Sequence, residues 1–256
     1  MSTVTLPRWH WGDASAPRRA LLVHGLGSSA QTTWRLSEGL AEQGWSATAV
    51  DLRGHGDAPR ASRYRIDDFA GDLLGTRHDD GLPWDLVVGH SIGAAAAMQA
   101  AGTDAGWTRR LVLLDPALTL DPAARQAVLD GQLANFDGAT VASIAEQFPH
   151  WHPLDVEFRV RAVKAASRYA LERSVLDNDD WDCTSYVAHV TAPTLVIAAD
   201  PANGSMFAGE HAASVLAANP LFEQVVVPGA GHSVHRDNPE ATLQHLLDWL
   251  HAAETP

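Results

Sequence analysis

Residues Gly89-His90-Ser91-Ile92-Gly93 constrain this chain more than any other feature. They stand between an apolar, strand-like run, Asp85–Val88, and an alanine-rich run, Ala94–Ala101, that reads as a helix. A glycine-flanked serine at such a junction forms a nucleophile elbow, a tight and strained turn that lifts the hydroxyl out of the carboxyl edge of a sheet. Side chains at the flanking positions would clash with the turn and the neighbouring strand. The pentapeptide alone also fits a glycine-rich turn without chemistry, so its weight comes from its surroundings.

Those surroundings alternate. Strand patterns occur at Val4–Leu6 (a weak edge strand), Ala20–Val23, Ser46–Asp51, Leu111–Leu114, Pro193–Ala199 and Gln224–Val227. Helical patterns occur at Trp34–Gln43, closed by Gly44, and at Ile66–Leu74, Glu210–Leu216 and Pro239–Leu250. From Ala117 to Val187 the rhythm changes to helices alone, at Pro122–Phe136, Thr140–Phe148 and Leu154–Val175, with no strong strand. The alternation predicts one α/β domain with a mostly parallel central sheet and helices on both faces. Residues 1–116 and 188–256 form its core, and 117–187 a helical cap inserted after the sixth strand. In such sheets the site lies at the carboxyl ends of the strands, which is where the polar residues below fall.

The 256 residues carry a formal net charge of −13, which disfavours nucleic acid and anionic membrane surfaces as partners. It slightly favours a neutral substrate. The single cysteine, Cys183, permits no internal disulfide and suits a reducing cytoplasm. Met1–Pro17 lacks the apolar core of a signal peptide, and no apolar run reaches the ~18–20 residues of a membrane span.

Four motifs occur in order: His24-Gly25-Leu26-Gly27, Asp51-Leu52-Arg53-Gly54-His55-Gly56, the Ser91 elbow, and Gly229-Ala230-Gly231-His232. Together they resemble the α/β-hydrolase superfamily, through the whole chain apart from the middle insertion. The short N-terminus and helical insertion look like its small, lidded esterases, lactonases and carbon–carbon hydrolases. The resemblance implies Ser91 as nucleophile and His232 as its base, since a free hydroxyl is too weak a nucleophile at neutral pH. His235, three residues on, falls outside the motif. The acid that orients the histidine is left between two aspartates. Asp115, ending Leu111–Leu114, is favoured; Asp200, ending Pro193–Ala199, is the alternative. The backbone N–H of Ile92 supplies one oxyanion donor, and by resemblance the N–H of Leu26 supplies the other.

Arg53 and His55 read as structural hydrogen-bonding residues. Trp151, Trp181, Phe136 and Phe148 fit either an apolar pocket or simple packing between cap and core. His150-Trp151-His152 is too sparse for a metal site, and neither a dinucleotide fingerprint nor a phosphate loop is present, so no cofactor is expected. The expectation is a serine hydrolase acting on a small, neutral, partly apolar ester or lactone. Two rivals stand beside it. A carbon–carbon hydrolase of keto-acid ring-cleavage products would need cationic residues, for which Arg159, Arg161, Lys164 and Arg168 are available. A slow-turnover ligand sensor would keep the same triad. Dehalogenases and epoxide hydrolases of this fold place aspartate where Ser91 stands.

Overall fold

The computed structural model describes residues 3–78 and 80–252. In chain order its regular elements begin with β1 (Arg8–Trp11), β2 (Arg18–Val23), α1 (Trp34–Glu42), β3 (Trp45–Val50), α2 (Ile66–Gly75), β4 (Leu86–His90), α3 (Ile92–Thr103) and β5 (Leu111–Leu114). A two-residue strand, β6 (Thr119–Leu120), precedes four helices, α4 (Pro122–Gly138), α5 (Val141–Gln147), α6 (Pro153–Ala165) and α7 (Arg168–Leu176). The chain closes with β7 (Trp181–Asp182), β8 (Thr194–Ala198), α8 (Gly209–Ala218), β9 (Phe222–Val226), α9 (Val234–Asp237) and α10 (Pro239–Ala252).

Seven strands form one sheet in the order β1-β3-β2-β4-β5-β8-β9. All neighbours are parallel except β1, which runs antiparallel to β3. Both faces are covered, which explains why the strands read as continuous apolar runs. The period of two still sorts their side chains. Leu21 and Val23 join the core that includes the alanines of α3, while Ala20 and Leu22 join the core beneath α1 and α10. The alanine run of α3 is buried all round, and small side chains let it pass close to the sheet.

Several expectations shift by a few residues. Val4–Leu6 is not a strand: Leu6 is buried, but the Val4 N–H donates to Asp72 of α2, and the edge pairing falls to β1. Leu154–Val175 is two helices, because Ser167 caps the second by accepting from the Ala170 N–H and itself donates its N–H to the Gly54 carbonyl. The all-helical stretch is clasped by a short antiparallel pair, β6 with β7. The sixth strand in chain order is thus β6, outside the main sheet, and the last main-sheet strand before the helices is β5. Among the described residues no helix is long and apolar enough to cross a membrane.

Candidate active site

The turn from β4 into α3 holds Ser91 at φ 55 and ψ −121, a left-handed region that a non-glycine residue occupies only under strain. The packing around it explains the glycines. A Cβ on Gly93 would lie 2.3 Å from the His24 carbonyl oxygen, and one on Gly89 would lie 2.7 Å from the Ala94 Cα. No side chain fits at either position without moving backbone.

His232 comes from the loop after β9. Its Nδ1 lies 2.7 Å from Asp115 Oδ2 and its Nε2 lies 2.9 Å from Ser91 Oγ. A carboxylate accepts only, so the Nδ1–H donates to Asp115. That tautomer leaves Nε2 free to accept from the serine hydroxyl. Asp115 follows β5 directly and is fully buried. Burial pushes its carboxyl pKa up. The hydrogen bond and charge of His232, with further hydrogen bonds from the Ser205 hydroxyl and the Met206 N–H, outweigh this and hold it below the usual range. The Ala199 N–H donates to its other oxygen, so the carboxylate is fully occupied and cannot swing.

Asp200 does different work. Its carboxylate accepts from the N–H groups of Ala202 and Gly229 and shapes the loop between β8 and α8. His235 lies buried with its ring centroid 4.7 Å from that of His90, away from the serine–histidine–aspartate relay. His90 Nε2–H donates to the His232 backbone carbonyl at 2.9 Å, which braces the loop carrying His232. This contact has no signature in the sequence beyond the variable position of the elbow.

The loop after β2 is tied from below. The Leu52 N–H donates to His24 Nε2, the Gly27 N–H donates to His55 Nε2, and Asp51 accepts from the Ala30 N–H. Arg53 forms a two-pronged pair with Asp72 at 2.6 and 2.7 Å, a structural role. These ties hold Leu26 beside the elbow, and Leu26, Ile92, Ser91 and His232 all face one cavity of about 230 Å³. Trp151, Trp181 and Phe148 line it as well, whereas Phe136 packs between the main core and the cluster around Ile144 and Val160. Phe148 and Trp151 stack with centroids 4.0 Å apart. His150 pairs with Asp237, and His152 caps α6, so the two histidines serve separate contacts.

Of Arg159, Arg161, Lys164 and Arg168, only Arg159 reaches the cavity. Arg161 pairs with Glu157, Arg168 pairs with Asp137 and Glu172, and Lys164 is exposed. A second arginine on the cavity wall, Arg236, went unread in the sequence. Its only signal was position, four residues beyond His232.

A parallel sheet with a strained serine elbow and a serine–histidine–aspartate relay at its carboxyl edge defines a class of hydrolase folds. The Alpha/beta hydrolase family matches residues 20–245, and the chain belongs to that family. Lipase LipV of Mycobacterium tuberculosis is 37% identical over 123 residues, covering 48% of this chain and 46% of that protein. The 2-(acetamidomethylene)succinate hydrolase of Mesorhizobium japonicum is 26% identical over 254 residues, covering 91% of this chain and 87% of that one. Among solved structures, the N-formylmaleamic acid deformylase of Pseudomonas putida S16 superposes with a TM-score of 0.81 at 24% identity, covering 95% and 96% of the two chains. That last likeness bears on the fold alone.

Proposed function

We propose that this chain is a serine hydrolase that cleaves a carboxylic ester or lactone through an acyl-enzyme on Ser91. The observation that carries the reading is the unbroken relay from Asp115 through His232 to Ser91, opening on a single cavity. Ser91 Oγ attacks the carbonyl carbon as His232 Nε2 takes its proton. The N–H groups of Leu26 and Ile92 receive the oxyanion, and the first turn of α3 adds its dipole. His232 then passes the proton to the leaving oxygen, and the carbon–oxygen bond breaks. Water, deprotonated by His232, releases the acid and restores the serine. Asp115 keeps the imidazole in the working tautomer and stabilises it when charged.

A cavity of about 230 Å³ lies below the usual ~300–1,000 Å³ of small-molecule sites and suits a small substrate better than a long-chain lipid. On the same reading, residues 117–187 act as a cap over the 1–116 and 188–256 core, with Trp151 and Trp181 as its contribution to the cavity wall. A cytoplasmic location goes with it, since one cysteine leaves no internal disulfide to form.

The test is pH-stat hydrolysis of a panel of short esters and lactones, with Ser91→Ala as the blank. Multiple turnovers that vanish in the variant are expected. Turnover that survives in Ser91→Ala, or none above the blank on the whole panel, would reject the reading.

A further inference from the structure

We infer that Arg159 and Arg236 form an anion subsite within the Ser91 cavity, and that the molecule bound there carries a carboxylate. That this molecule is a substrate rests on the function proposed above; the subsite does not.

The two arginines reach the cavity from opposite parts of the chain, α6 and α9, and grip adjacent residues of one loop. Arg159 donates from Nη1 to the Gly27 carbonyl at 2.5 Å, and Arg236 donates from Nη2 to Ser28 Oγ at 3.0 Å. This is the loop that carries Leu26. Arg236 is 4% exposed and its Nε has no partner. Its guanidinium lies 5.1 Å over the Trp151 ring, which fixes its direction. Arg159 keeps part of its surface open, but its charged end is lodged in protein. Burial holds both guanidinium groups below their ordinary pKa, and for Arg159 repulsion by Arg236 adds to it. The pair therefore concentrates positive charge that neither member relieves.

Among the described residues, no carboxylate forms an ion pair with either one. Asp155 and Asp237 attract Arg236 from further away, without a direct ion pair, and each has its Oδ1 in hydrogen bonds to other groups. Asp155 accepts from Trp34 Nε1, and Asp237 from Trp151 Nε1 and His150. Acids outnumber bases in this chain by 31 to 18, and the other buried arginine, Arg53, is matched by Asp72. A buried charge without a partner is costly. Two of them on the wall of a reactive cavity are accounted for when the missing counter-charge arrives with the ligand. Guanidinium groups suit a carboxylate because their N–H pairs match its two oxygens. The unpartnered Gln132 Oε1 stands beside Arg159, ready to sort the polar groups next to that carboxylate. This departs from the neutral substrate that net charge alone suggested, because the charge that matters is inside the cavity.

The experiment uses monomethyl esters of the linear C3 to C8 dicarboxylic acids, each matched with the methyl ester of its neutral monoamide. Binding to Ser91→Ala protein is measured by calorimetry, and methanol release by the native enzyme is measured in parallel. At one or more chain lengths the half-ester should bind at least tenfold tighter than its amide. That preference should fall tenfold or more in Ser91→Ala proteins also carrying Arg159→Gln or Arg236→Gln, with partial recovery in the corresponding lysine variants. Equal binding of acid and amide at every length overturns the subsite, whatever the arginine variants do, and so does a preference that persists in both glutamine variants. Preferential binding without methanol release leaves the subsite standing and removes the ester reading instead.

Discussion

Asp115 and Asp200 both follow a strand of the same sheet and both are aspartates, yet they sit in opposite environments. Asp115 is buried at φ 37, a strained position, with four donors around its carboxylate. Asp200 is half-buried and caps a loop. The difference predicts a clean split. Asp115→Asn should lower kcat by about 10⁴-fold, because an amide can donate to Nδ1 and favour the wrong tautomer, while the melting temperature stays within a few degrees. Asp200→Asn should keep turnover within about threefold, because an asparagine still caps turns of this kind. Steady-state kinetics of both variants on one ester decides it; a collapse in Asp200→Asn alone would reverse the assignment.

The elements explain why some of this could be read in advance. The elbow was legible because its glycines answer to backbone on every side, and that demand leaves a fixed spelling. It also makes a prediction. Gly93→Ala forces a Cβ to within 2.3 Å of the His24 carbonyl, and such overpacking costs about 1–3 kcal/mol or more. In Gly138→Ala, at the end of α4, the added Cβ meets nothing within 4 Å, so stability should hold or rise by a few tenths of a kcal/mol. Urea titrations of the two variants measure the contrast, and equal midpoints would refute the steric argument. The sheet strands were equally legible, since burial on both faces imposes long apolar runs. Other features left weaker marks. The break at Ser167 depends on Gly54, more than a hundred residues away, and β1 is mostly exposed on an edge, so neither has a strong local pattern. The choice of acid and the inward turn of Arg236 are decided by where the loops after β5, β8 and β9 meet. Spacing along the chain does not encode that meeting point.

At the scale of the whole molecule, the acidic exterior hides an interior rich in neutral histidine. His24 and His55 tie down the loop beside the elbow by accepting N–H groups, which they can do only when uncharged. Burial lowers the pKa of His24 to about 4, with repulsion from Arg236 adding to it. Burial, then the charge of His24, lowers that of His55 to about 3. Burial also holds His90 and His235 well below the ordinary value. In the unfolded chain all four take up protons near pH 6.5. Below that pH the unfolded state binds protons that the folded state refuses, so stability falls as pH falls. The window runs from about pH 6.5 down to about 4 for His24 and about 3 for His55. Asp115 acts in the same direction but only lower, since its lowered carboxyl pKa withdraws stability as the pH drops past the ordinary carboxylate range. At pH 5 His24 and His55 should each cost roughly 2 kcal/mol relative to neutral pH, and His90 and His235 act in the same direction. Urea midpoints at pH 7.5, 6.5, 5.5 and 5.0 should therefore decline steadily below pH 6.5. Midpoints that stay level across that range would mean that these histidines are charged in the folded protein, and the loop they hold beside Ser91 would then need other supports.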